Sequence, residues 1–161
     1  MTRFADRPTV EVSATISAPP DVVWDLITDI NISGRFQDEF IEAEWLDDGP
    51  SLGARFVGKN TSGRRTWETT STIVEYEPNR VFAWAVEDVD NPVATWTFRL
   101  FDEGGQTNLV YHRVVGPGPS GLTAAIEKYP DREEEFVAAR DEQHRQHMQA
   151  VVDGVKGLAE A

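Results

Sequence analysis

Near residue 120 a long series of strand-like segments gives way to a single long helix, and that transition limits the architectures open to this chain. Six short runs precede it: "FIEAEWL", "ARFVGKN", "RTWETTSTIVEYE", "RVFAWAVED", "ATWTFRLF" and "TNLVYHRVV". They are rich in β-branched and aromatic residues, and "DDGPSLG", "TSGR", "PN", "DNP" and "DEGGQ" separate them as turns. From about Arg132 to Ala161 the pattern is helical. Stepping about 100° per residue places Val137, Asp141, His144, Met148, Val151, Val152, Val155 and Leu158 on one stripe, with His147 at its edge. An antiparallel sheet has one face to bury, and a helix with one apolar stripe is the cover at hand. A strongly bent sheet around that helix leaves a tunnel between them.

The N-terminal part completes the pattern. Residues 1–8 read as a loose arm. In "TVEVSATIS", Val10, Val12, Ala14 and Ile16 share a face, which predicts a half-buried strand. "APP" stops it, and Pro20 or Asp21 opens a helix carrying Val23, Trp24, Ile27 and Ile30, because proline in a first turn loses no hydrogen bond. "NISGRF" breaks that helix and leaves room for a second short turn. The 33–40 stretch, "SGRFQDEF", suits a lid or an ordinary surface turn equally well. "LTAAIEKYP" reads as a short helix ended by Pro130. With 161 residues and no repeats, the chain is expected to form one domain over 1–161.

Charge and composition exclude several functions. The net charge of −13 opposes nucleic-acid phosphates and anionic membrane surfaces alike. The absence of Cys removes disulfides, thiolate metal sites and a Cys nucleophile. No apolar run is long enough to span a bilayer, and "MTRFADRPTVEVSA" lacks the apolar stretch of a signal peptide. A cytoplasmic soluble protein is expected, as monomer or homodimer, with no cofactor.

The chemistry-bearing candidates fall into three groups. His144 and His147 form an H-x-x-H pair on the long helix. Such a pair needs a third ligand to hold a metal, for which His112 is the remaining histidine, and no familiar metal spacing is present. Simple packing accounts for both. Alternatively, His144 is a polar group in an apolar interior, able to hydrogen-bond a ligand carbonyl or phenol or to act as an acid or base. The second group is aromatic: Phe56, Trp67, Trp84, Trp96 and Tyr111 on strands, with Met148 on the helix, suit a cavity for a flat or greasy ligand as well as a core. The third is polar: Asn60 shares strand parity with Phe56, Thr69 with Trp67, and Arg113 with Tyr111. An inward Arg113 would stabilise an enolate, whereas an outward one would be surface. His144 and Arg113 are the catalytic candidates, and no catalytic pair is recognisable. "DREEEF" suits the start of a helix dipole, and "SGRR" lacks the Lys-Ser/Thr of a phosphate loop.

The order of elements and several motifs resemble the polyketide cyclase/dehydrase branch of the START-like (SRPBCC, Bet v 1-like) superfamily, in its actinobacterial form. "VEVSATISAPPDVVWDLITDI" is similar to the family's opening strand, Ala-Pro and Trp-bearing helix. "GARFVGKNTSGRRTWETTSTIVEYEPNRVFAWAV", "ATWTFRL" with its Gly turn and "TNLVYHRVVGPGP" resemble the family's strands, and "HMQAVVDGVKGLAE" its closing helix. The resemblance implies an α+β helix-grip fold: a seven-stranded curved antiparallel sheet around a long C-terminal helix, with two short helices after strand 1. It also implies an apolar cavity between sheet and helix. The expected function is binding of a hydrophobic small molecule there, such as a lipid, polyketide or aromatic metabolite. A polyketide cyclase or aromatase, and an interaction protein with a filled core, are the alternatives. Catalysis is left open, because folds of this kind host unrelated functions.

Overall fold

Most strand segments alternate buried and more exposed positions, while β5, "VFAWAV", is apolar on both faces. The computed structural model describes residues 2–161. Its elements are β1 (Thr9–Ile16), α1 (Pro20–Ile27), β2 (Phe40–Trp45), β3 (Arg55–Ser62), β4 (Arg65–Glu77), β5 (Val81–Val86), β6 (Ala94–Asp102), β7 (Thr107–Val115), α2 (Gly121–Lys128) and α3 (Glu133–Ala159). Short 3-10 turns lie at Phe4–Asp6, Ser33–Arg35 and Pro130–Arg132. The strands form one seven-stranded sheet in the order β1-β7-β6-β5-β4-β3-β2. Every neighbouring pair is antiparallel. This is the helix-grip α+β arrangement, with α1 and the Ser33–Arg35 turn following β1 and α3 closing the chain.

Two register shifts bend the sheet. One lies between Phe40 and Glu42 in β2, the other between Ile73 and Glu75 in β4. An extra residue at such a point strengthens the local twist. In β4 it also resets the alternation, so Ser71 and Ile73 are buried before it while Tyr76 packs against Trp24 after it. Both shifts lie in the β2–β4 arm, and the β1–β7 arm, which has none, is the one that packs on α3.

The helix covers the other flank. Val151, Val152 and Val155 of α3 are buried in one cluster with Val10, Ile16 and Leu109. Gly154 sits mid-helix, where glycine costs about 1 kcal/mol relative to alanine. A Cβ there would lie 2.4 Å from the Phe36 ring, so the missing side chain lets Phe36 lie against the helix.

Two segments differ from the sequence expectation. Ile30 falls outside α1, which ends at Ile27. The Asp29 carboxylate accepts from Asn31 N at 2.9 Å, and the Asn31 amide brackets the Ala43 backbone at 2.8 and 3.1 Å, steering the chain to β2. The arm expected to be loose over 1–8 is tied down in its described part, Met1 lying outside the described residues. Arg3 pairs with Glu133 at 2.7 Å, and Phe4 N donates to the same carboxylate at 2.8 Å.

Candidate functional site

Between the sheet and the middle of α3 lies a cavity of about 200 Å³. Alternation explains its walls: inward positions of β3, β4, β5, β6 and β7 carry large aromatics, and α3 presents His144 and Met148 opposite them. The sequence candidates Phe56, Asn60, Trp67, Thr69, Trp84, Trp96, Tyr111, His144 and Met148 all line it. Arg113 does not. It is fully buried, which rules out its solvent-facing alternative, and it stands behind His144. The aromatic wall is continuous: Phe98 stacks on Tyr111 at 4.0 Å, Trp96 meets Tyr111 at 5.7 Å, and Trp84 reaches Phe56 at 6.2 Å. Such ring pairs add stability beyond their area and fix one another's orientation.

The polar group in the interior is built on Arg113. Its Nη1 donates to His144 Nδ1 at 2.9 Å. Its Nη2 donates to Asp141 Oδ1 at 2.7 Å and to the Pro8 carbonyl at 3.1 Å. Arg113 Nε has no partner among the described residues. The N-terminal segment, β7 and α3 therefore meet at one guanidinium. Burial lowers the Arg113 pKa and Asp141 opposes the shift; an arginine so paired stays charged. Burial, then the positive field of Arg140 and Arg113, holds the His144 pKa well below the ordinary histidine value. The Tyr111 hydroxyl is pushed up by burial, with Ser33 opposing, so the phenol stays protonated at neutral pH.

A second ion pair stands at the cavity's edge. Arg140 of α3 holds Glu39 through two bonds of 2.7 and 3.0 Å, and also donates to Gln143. Together with Phe36 on Gly154 it fastens the 33–40 stretch to the helix at two points. Glu39 and Arg140 were not among the sequence candidates. They are 101 residues apart, and no local pattern joins them. Asp141 did carry a signal, as an acid within an otherwise apolar helical stripe.

His147 lines the cavity beside His144. His112 cannot join them, because it opposes Glu11 in register, on the face of β7 opposite to Tyr111 and Arg113. Among the described residues no cluster of three or more metal-ligating side chains occurs, and no helix is long and apolar enough to cross a membrane.

A sheet gripping one long helix, with an apolar cavity between them, defines the class of domain. A family model described as polyketide cyclase / dehydrase and lipid transport matches residues 7–149, and the chain belongs to that family. A Polyketide_cyc-like protein from Corynebacterium glutamicum is 28% identical, with a TM-score of 0.69 over 98% of this chain and 91% of its own. The Zhui aromatase/cyclase from Streptomyces sp. R1128 is 22% identical, with a TM-score of 0.69 over 95% and 93%. The di-domain aromatase/cyclase BexL of the BE-7585A biosynthetic pathway is 18% identical, with a TM-score of 0.68 over 98% of this chain and 53% of its own. The last two share the fold. No curated protein sequence matches the chain.

Proposed function

We propose that this protein binds a hydrophobic small molecule, a lipid, polyketide or aromatic metabolite, in the cavity between the sheet and α3. The observation that carries the reading is the wall itself: Trp67, Trp84, Trp96, Phe56 and Tyr111 converge on one space whose lining surface is mostly apolar. Its volume of about 200 Å³ exceeds the ~150 Å³ void that admits benzene in an engineered core. Rings of this kind bury large apolar area and are rigid, so a flat ligand binds at little cost in side-chain entropy. Family membership supports the same reading.

A second reading, a cyclase or aromatase acting on a carbonyl-rich chain, is favoured by the buried Arg113–His144 unit. A preorganised donor set in a site of low dielectric stabilises a developing enolate. The two readings share the cavity and differ in whether its contents leave changed.

Native mass spectrometry on protein purified from its own organism, beside a denatured control, tests the proposal. A discrete added mass that leaves on denaturation is the expected result. A bare protein mass, together with no quenching of Trp emission by any of a panel of ring compounds and fatty acids, would leave the cavity without a binding role.

A further inference from the structure

We propose that His144 is a fixed hydrogen-bond donor through Nε2–H, and that the cavity consequently takes neutral ring compounds bearing a carbonyl oxygen. The inference rests on the binding reading above and narrows its ligand class.

The argument begins at Arg113. A guanidinium carries five N–H groups and no acceptor. Its Nη1 lies 2.9 Å from His144 Nδ1, so in that bond the imidazole supplies the lone pair. The proton of the neutral ring is then on Nε2. Protonating Nδ1 would set two donors face to face and a cation beside a cation. Asp141 cannot relieve that clash, because its 2.7 Å bond goes to Arg113 Nη2 rather than to the imidazole.

The tautomer decides the chemistry. Nδ1 is occupied, and Nε2 already holds a proton, so the ring has no free lone pair with which to act as a base. Nε2 has no partner among the described residues and is not among the sealed, unpartnered buried atoms. His144 lines the cavity, and Trp96 packs against its ring at 5.0 Å, fixing the plane. The sequence left acid, base and hydrogen-bonding roles open for His144, and the geometry keeps only donation.

Charge sets the rest of the ligand. The charged and titratable groups that line the cavity or join His144 are Arg113 and Tyr111 from β7, Arg140, Asp141 and His147 from α3, Asp29 after α1, and Glu39 ahead of β2. Each guanidinium already has its carboxylate: Arg113 with Asp141 and Arg140 with Glu39, both at 2.7 Å. Neither cation is left to balance a ligand carboxylate, whereas a ketone oxygen needs only a neutral donor.

Two probes of matched shape test this, α-tetralone and tetralin, which differ by one carbonyl, with naphthoate as the charged comparison. The wild-type protein should bind α-tetralone about tenfold more tightly than tetralin, as expected for one buried hydrogen bond. His144→Phe should erase that preference. His144→Gln, whose amide both accepts from Arg113 and donates, should retain it. Independently, long-range proton–nitrogen NMR of the wild-type ring should show a protonated Nε2 and a bare Nδ1 from mildly alkaline to mildly acidic pH. A proton on Nδ1, or an imidazolium at neutral pH, overturns the proposal even if no variant folds. Equal affinity for α-tetralone and tetralin overturns the donor role while leaving cavity binding standing. Tighter binding of naphthoate than of α-tetralone overturns the neutral-ligand assignment. Failure of all three probes, with no adduct on the native protein, removes the binding reading and this one together.

Discussion

The two flanks of the sheet obey the same alternation and end in different states. On the β1–β7 flank, inward side chains meet α3 directly: Val10, Ile16 and Leu109 are at most 1% exposed, as are Val152 and Val155 across from them. On the β3–β4 flank the sheet curls away, and Trp67 and Thr69 are only half-buried around the cavity. No residue of β2 is buried. One flank is covered by helix and holds the fold together, while the other is left for something else to cover. The difference goes with the register shifts in β2 and β4 and with a change in residue type, from Val10, Val12, Ala14 and Ile16 inward on β1 to Gly58, Asn60, Thr69 and Ser71 beside the rings of β3 and β4.

That contrast can be broken by substitution. Leu109→Ala, on the covered flank, should cost about 3 to 5 kcal/mol in urea unfolding, because a tightly packed site collapses poorly around a lost side chain. Asp141→Ala acts at the boundary between the flanks. It strands the fully buried Arg113 cation beside a histidine and should cost about 3 kcal/mol; a near-neutral result would mean that Arg113 finds water. Trp67→Ala, on the open flank, should cost about 2 kcal/mol, below the range for a fully buried tryptophan, while weakening α-tetralone binding. If Trp67→Ala destabilised as much as Leu109→Ala, the open flank would be core, and the contrast would fail.

The sequence displayed the architecture because periods of strand and helix are local properties. Parity was legible for the same reason: Arg113 with Tyr111, and Trp67 with Thr69, do share faces. Which face is inward was not legible for Arg113, since alternation has no sign until a cover is in place. The bracket of Asn31 on Ala43 and the Arg140–Glu39 pair were invisible, because both join segments that only the closed sheet brings together. Ile30 misled for a related reason: its spacing continued the α1 stripe, but the Asp29 turn had already ended the helix. The Arg113–His144–Asp141 unit lies between these cases. His144 and Arg113 were candidates, the latter with its face undecided, and Asp141 was one position of the helical stripe, yet their partnership needed the crossing of α3 over β7.

The smallest expected effect is a pH dependence at the same boundary. Burial first, then Arg140, Arg113 and His147, holds the His144 pKa well below its usual 6.5 in the folded protein. In the unfolded chain the ring titrates near that usual value. Above about pH 6.5 both states carry a neutral ring and stability is unaffected. As pH falls below it, the unfolded chain binds a proton that the folded protein refuses, so stability declines toward the folded pKa. One group sets a limiting slope of about 1.4 kcal/mol per pH unit. His144→Gln carries no titrating ring and should remove this component, so its unfolding free energy should fall less steeply than that of the wild type between neutral pH and the range where carboxylates titrate. Parallel curves for the two proteins would mean that the folded protein accepts the proton, and that the bond from Arg113 does not hold the ring neutral.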